Sequence, residues 1–97
     1  MYINNENIKI SLLMSVYNGE KYLTESINSV LNQSFQEYEF IIVNDGSTDS
    51  SAEIIDEYQK KDKRIKVIHK KNTGLANSLN IGLKESCAEF IARIDDD

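Results

Sequence analysis

Three adjacent carboxylates, Asp95-Asp96-Asp97, stand directly after the apolar segment Phe90–Ile94 of this 97-residue sequence. Carboxylates this close repel one another and need a compensating cation, and a hard divalent ion, magnesium or manganese, is the natural occupant. In an irregular turn Asp95 and Asp97 can point to the same side. An ion held by one or two carboxylates completes its shell with water and phosphate oxygens, so the triplet is a candidate diphosphate site. A run of Asp can also be a plain solvated loop. Its position after a buried strand, beside other polar strand ends, favours the metal reading.

Asp45 precedes Gly46, which lets the backbone turn tightly and admits a ligand close to the main chain. A carboxylate there can accept a hydrogen bond from a base imino or amino group. Asn44-Asp45-Gly46-Ser47 is also a good turn and helix cap in its own right. Tyr17 can stack on a base or cover the sheet edge. Lys70, Lys71 and Arg93 could neutralise phosphate, although basic loop residues usually face solvent. His69 stands without a second His or Cys nearby to build a nitrogen or sulfur metal site. No Gly-rich loop of the P-loop or dinucleotide type occurs.

These residues act together only if the chain gathers them. Ile8–Val16 reads as a buried strand, followed by a turn at Tyr17-Asn18-Gly19. From Lys21, Leu23, Ile27, Val30 and Leu31 recur at helical steps, and Asn32–Gln36 ends that helix. Tyr38–Val43 is a second, β-branched strand. Ser47, Thr48 and Asp49 can each cap a second helix with Ile54, Ile55 and Tyr58 on its apolar stripe, and Lys60, Lys61, Lys63 and Arg64 complement its carboxyl end. Ile65, Val67 and His69 alternate as a third strand, and Asn72-Thr73-Gly74 leads into a third helix marked by Leu75, Leu79, Gly82 and Leu83. Phe90–Ile94 is a fourth strand.

The order β-α-β-α-β-α-β with short connections implies right-handed crossovers and an α/β fold, a Rossmann-like parallel sheet with helices on both faces. Ligands bind such sheets beyond the carboxyl ends of the strands. Three polar clusters follow strand ends here: Tyr17-Asn18-Gly19, Asn44-Asp45-Gly46-Ser47 and Asp95-Asp96-Asp97. Parallel strands would place all of them on one edge.

Composition fits one small globular domain over residues 1–97. A net charge of -5 argues against a general electrostatic grip on nucleic acid or anionic lipid. The single cysteine, Cys87, excludes an internal disulfide and suits a reducing compartment, and it is expected to be ordinary packing, a buried small hydrophobe. The opening residues lack a secretory signal pattern and no apolar run is long enough to span a bilayer, so the expected location is cytoplasmic, compatible with membrane association of a longer parent protein.

Five blocks carry a family resemblance: Ile10–Gly19, Ser29–Phe35, Ile42-Val43-Asn44-Asp45-Gly46-Ser47-Thr48-Asp49, Asn72-Thr73-Gly74-Leu75-Ala76 through Leu83, and Glu89–Asp97. In order and spacing the chain resembles inverting family 2 glycosyltransferases over nearly its whole length from Ile8. The resemblance implies the GT-A fold, whose amino-terminal half binds a nucleoside diphosphate sugar and a divalent cation. Tyr17 would then lie against the base and Asp45 would hydrogen-bond it, with Ser15 and Val16 lining the same pocket. Asp95 would approach the ribose or sugar, Asp96 would take the variable middle place and Asp97 would hold the metal. A UDP-sugar is the favoured donor, and a glycan or other hydroxyl, as in polysaccharide biosynthesis, the expected acceptor.

Two departures from the family pattern stand out. Ala88 replaces the usual Gly before the Glu of the fourth strand, which touches only a loop conformation. The family's catalytic base and acceptor region lie downstream of the acidic triplet, so the reaction it implies, direct displacement at the anomeric carbon with inversion, needs residues that follow Asp97. The expectation for the chain alone is weak binding of nucleotide and metal without sugar transfer, and self-association through an exposed final strand. Two other readings remain: a non-catalytic nucleotide-binding or interaction module, and a sugar nucleotidyltransferase, which the lack of a Gly-rich amino-terminal loop disfavours.

Overall fold

A computed structural model describes residues 9–88 and 90–94. The elements alternate as β1 (Ile10–Val16), α1 (Glu20–Leu31), β2 (Tyr38–Asp45), α2 (Ser51–Lys61), β3 (Ile65–Lys70), α3 (Leu75–Glu85) and β4 (Phe90–Arg93). The strands form one parallel sheet in the order β3-β2-β1-β4, with Ile10 opposite Tyr38, Phe40 opposite Ile65 and Ile10 opposite Phe90. The expected order and parallel sheet are therefore present. Ile8, the expected start of the first strand, lies outside the described residues, and the strand begins at Ile10.

The sheet divides two cores. On one face Leu12, Met14, Val16, Phe40 and Ile42 meet Leu23, Ile27 and Val30 of α1 and Ile55 of α2. On the other, Leu13, Ile41 and Val43 meet Leu79 of α3. Every residue of β2 is buried, as expected of a strand with neighbours on both sides and helices above and below. β2 runs two residues further than its apolar stretch, because Asn44 and Asp45 still pair with His69 and Lys70.

The expected stripe on α3 is corrected. Ser78 and Gly82 are its buried residues, whereas Leu75 and Leu83 are 47% and 44% exposed. A Cβ at Gly82 would come within 3.1 Å of the Leu13 side chain, so α3 meets the sheet on small residues at close range. Leu83, about 100° further round the helix, misses the contact.

Cys87 is also corrected: it is exposed, in the connection from α3 to β4. Its backbone N–H donates to Glu39 Oε2 at 2.6 Å. Burial of its surroundings and the Glu39 carboxylate push the thiol pKa up, away from thiolate chemistry. Among the described residues, no helix is long and apolar enough to cross a membrane.

Candidate functional site

The polar edge of the sheet is built by the loops leaving β1, β2 and β3. Strands that run parallel all deliver their carboxyl ends to it. Asn18 turns the first loop in the left-handed region at φ 51°, a conformation its short polar side chain tolerates. Its side chain then reaches the second loop, Oδ1 accepting from Thr48 N at 2.7 Å. The second loop answers. Ser47 Oγ accepts from Asn18 N (3.0 Å), Ser51 Oγ from Gly19 N (3.0 Å) and Asp49 Oδ2 from Glu20 N (3.2 Å).

These donors are the orphan N–H groups at the entrance of α1, which has no side-chain cap of its own. The residues expected to cap α2 therefore mostly serve α1. Helix α2 starts at Ser51 after Ser50, and of the expected caps Asp49 serves it, its Oδ1 accepting from Ser51 N at 2.9 Å. Desolvation opposes ionisation of Asp49, but the Ser51 and Glu20 bonds outweigh it and hold its pKa below the usual carboxylate range. Asn18, Gly19 and Glu20 N–H are all engaged by the second loop.

Asp45, 3% exposed, is the hub of the third loop. Its Oδ1 accepts from Lys70 Nζ and from Thr73 N (2.9 Å), its Oδ2 from Gly74 N (3.0 Å), and its carbonyl from Asn72 Nδ2 (3.0 Å). Burial raises its pKa, but Lys70 and the two backbone N–H groups more than offset this, and the net shift is downward. In this arrangement the Asp45 carboxylate holds the β3–α3 loop, and a base would share or displace one of these donors. Lys70 is likewise spoken for, donating also to the Lys71 carbonyl at 2.7 Å. Gly46, at φ 72°, is indispensable to this join: a Cβ there would lie 2.5 Å from Asn72 N.

Asn44 and His69 complete the network. Ser47 N donates to Asn44 Oδ1 at 3.0 Å, which orients the amide, and Asn44 Nδ2 then donates to His69 Nδ1 at 3.0 Å. The imidazole proton is thereby left on Nε2, facing Asp56 Oδ1 at 2.8 Å. His69 is a structural residue with both nitrogens occupied.

The other expected site residues are distributed as follows. Tyr17 is 52% exposed at the end of β1, open to a flat ligand. Ser15 is half-buried beside Val43 in register. Val16 corrects the expectation of a lining side chain, since its side chain is fully buried in the α1-side core and only its main chain can border a pocket. Asp95, Asp96 and Asp97 lie outside the described residues. β4 is parallel to β1, and just past its end the Ile94 N–H donates to Leu13 O at 2.7 Å. Among the described residues no group of three or more His, Cys, Asp or Glu could hold a metal. A trough of about 430 Å³ lies along α1, lined by Leu12, Tyr22, Glu25, Val30 and, just past the end of β4, Ile94 among others.

Sequence reasoning did not find the cross-loop roles of Asn18, Ser51 and Asn72. Side-chain bonds spanning about thirty residues leave no local pattern, although Asn18 in a turn after a strand was a signal for a left-handed residue.

The sequence model of the family described as Glycosyl transferase family 2 matches residues 11–97. The chain belongs to glycosyl transferase family 2. The putative glycosyltransferase EpsH of Bacillus subtilis (strain 168) is 48% identical over 92 residues, covering 95% of this chain and 27% of EpsH. Glycosyltransferase GlyG of Streptococcus pneumoniae serotype 4 is 40% identical over 89 residues, covering 91% of this chain and 30% of GlyG.

Among solved structures, S. aureus TarS 1-349 in complex with UDP-GlcNAc superposes with a TM-score of 0.86 at 36% identity, over 93% of this chain and 27% of TarS 1-349. The complex of the same protein with UDP gives 0.85 at 35% identity, over 93% and 28%. A mannosyltransferase from Pyrobaculum calidifontis, solved with GDP-Man and Mn2+, matches at 0.85 over 92% of this chain and 27% of its own, and at 18% identity shares the fold alone. The sheet and helices of this family 2 chain are thus those of a GT-A glycosyltransferase, in the Rossmann-like portion. The chain spans less than a third of EpsH, GlyG and TarS 1-349.

Proposed function

We propose that this chain forms the donor side of a glycosyltransferase that moves a sugar from a UDP-sugar to a glycan or other hydroxyl with inversion. The observation that carries the reading is the convergence of the loops after β1, β2 and β3 on one sheet edge, locked together through Asp45 and Asn18, in a chain of this family. Tyr17 offers the base an exposed ring, Ser15 and the Val16 main chain border the same place, and Asp45 presents its loop's polar groups to the base. Similarity to TarS, solved with UDP and with UDP-GlcNAc, supports uridine.

The donor set fits a divalent cation at the acidic triplet. Asp45 is committed to Lys70 and two N–H groups, and His69 to Asn44 and Asp56. The family resemblance gives the ion to the carboxylates that follow β4 in sequence, with Asp97 as its holder and Asp95 and Asp96 nearer ribose and sugar. Such an ion, manganese or magnesium, would neutralise charge growing on the departing diphosphate. The same reading makes β4 a contact between copies of the chain, since its outer edge is unpaired among the described strands.

The test is calorimetric titration with UDP, with and without manganese, on the parent chain and on Asp45→Ala and Asp97→Ala. Manganese-dependent binding, lost in Asp97→Ala and weakened with or without metal in Asp45→Ala, is expected. A folded chain that ignores UDP in both conditions would sink the reading.

A further inference from the structure

β4 is the least secured of the described strands. It has four residues, all exposed, and pairs only with β1. Ladder hydrogen bonds look alike at every register, and what normally enforces one register is a buried face, which β4 lacks. A slip of two residues would keep each side chain on its face yet carry the following chain about 7 Å along the sheet. Metal–ligand distances tolerate only about 0.2 Å. Its register is left to what holds its two ends: Ile94, just past the strand, packs against the α1-side core, and the end before Phe90 needs an anchor of its own.

Glu39 is placed to provide it. Ser11, Glu39 and Lys66 are each the second residue of their strands, at the opposite end of the sheet from Tyr17 and Asp45. Glu39 is 1% exposed, a costly place for a carboxylate that serves no ligand. Its Oε2 accepts from the Ser11 hydroxyl and from Cys87 N (2.6 Å), and Ser11 Oγ accepts in turn from Ala88 N (3.2 Å). Its Oε1 lies 2.7 Å from Lys66 Nζ, an ion pair that supplies its charge partner although the angle is not that of a hydrogen bond. The two N–H groups just ahead of β4 are thus tied, one directly and one through a hydroxyl, to β2 and β1. In the sheet Ser11 stands opposite both Glu39 and Ile91, so the anchor is level with β4 itself.

We infer that Glu39 is a positioning residue: through Cys87, Ser11 and Ala88 it sets the register of β4 on β1, and so governs where the acidic triplet meets the donor diphosphate. The second half of this rests on the donor-site reading above. The first half does not.

The experiment uses Glu39→Ala, Glu39→Gln and Ser11→Ala in the full chain, with two readouts. One is hydrogen exchange at the Ile94 amide, which donates to Leu13 O. The other is UDP titration with and without manganese. In Glu39→Ala, Ile94 exchange is expected to quicken about tenfold relative to β1–β2 amides. The manganese-dependent gain in UDP affinity should fall about tenfold while metal-free affinity stays within about twofold. Glu39→Gln, whose amide oxygen still accepts from Ser11 and Cys87, should restore most of both. Should Glu39→Ala fail to fold, Ser11→Ala decides, with a smaller loss in the same direction. Unchanged Ile94 exchange in a folded Glu39→Ala or Ser11→Ala, or parallel loss of metal-free and metal-dependent binding, overturns the inference. A parent chain without manganese-dependent binding defeats the donor-site reading, and Ile94 exchange still decides the register role.

Discussion

Asp45 shows how a residue expected to meet a ligand can first be a structural hub. In Asp45→Asn the amide would turn an N–H toward existing donors and leave Lys70, 11% exposed, without its partner. A loss of about 3 kcal/mol is expected from urea unfolding, within the range for breaking a buried pair. The pH response follows from the downward shifts of Asp45 and of Glu39, whose pKa burial raises but Lys66, Ser11 and Cys87 lower further. A depressed folded pKa stabilises above the unfolded value, about 4 for these carboxylates, and that stability is lost as pH falls through the folded pKa. Thermal melts should therefore weaken steadily below about pH 4, and Asp45→Asn should show a shallower fall. Gly46 and Gly74 separate strain from contact. Both have positive φ, but only Gly46 has a backbone atom where a Cβ would stand. Gly74→Ala should cost about 1–3 kcal/mol of backbone strain, and Gly46→Ala clearly more, with UDP affinity falling because Asn72 must move. Equal urea midpoints for the two variants would refute this.

At the scale of elements, α1 is entered through another helix's loop. Ser51, fully buried, accepts from Gly19 N, so Ser51→Ala strands a buried donor. About 1–2 kcal/mol should be lost, and a double-mutant cycle with Asn18→Ala should show coupling, because both side chains bridge the same two loops. Additive effects would mean the loops are independent. This level also marks what could be read from sequence. The succession of strands and helices along the chain was legible because hydrophobic period and turn residues are local signals, as Leu23, Ile27 and Val30 show in α1. The gathering of Tyr17 and Asp45 on one edge followed from strand direction alone. What could not be read was which donors each side chain meets: Asp45 to Thr73, Asn18 to Thr48 and Glu39 to Cys87 are pairings across distant segments. The α3 stripe misled at Leu75 and Leu83 and left out Ser78, because α3 meets the sheet on small residues at close range and counting apolar residues passes over a buried serine.

For the whole molecule, the two lateral strands of the described sheet differ in how they end it. β3 places Lys66 and His69 on its exposed side, polar groups that discourage strand addition, while Lys70 is turned inward to Asp45. β4 instead shows Phe90 at 66% exposure and Ile91 at 43%, with Arg93 as its single charge. Unpaired backbone groups beside exposed apolar side chains are a template for a second strand, and a net charge of -5 opposes association only over long range, where salt screens it. The chain should therefore associate with itself through β4. Sedimentation is expected to show a weight-average mass that rises with concentration, more steeply in higher salt. Ile91→Lys should return it to monomer without loss of secondary structure, since Ile91 lies on an exposed strand. A parent mass that stays at the 11.1 kDa monomer across concentration and salt would show that four residues are too short an edge to recruit a partner.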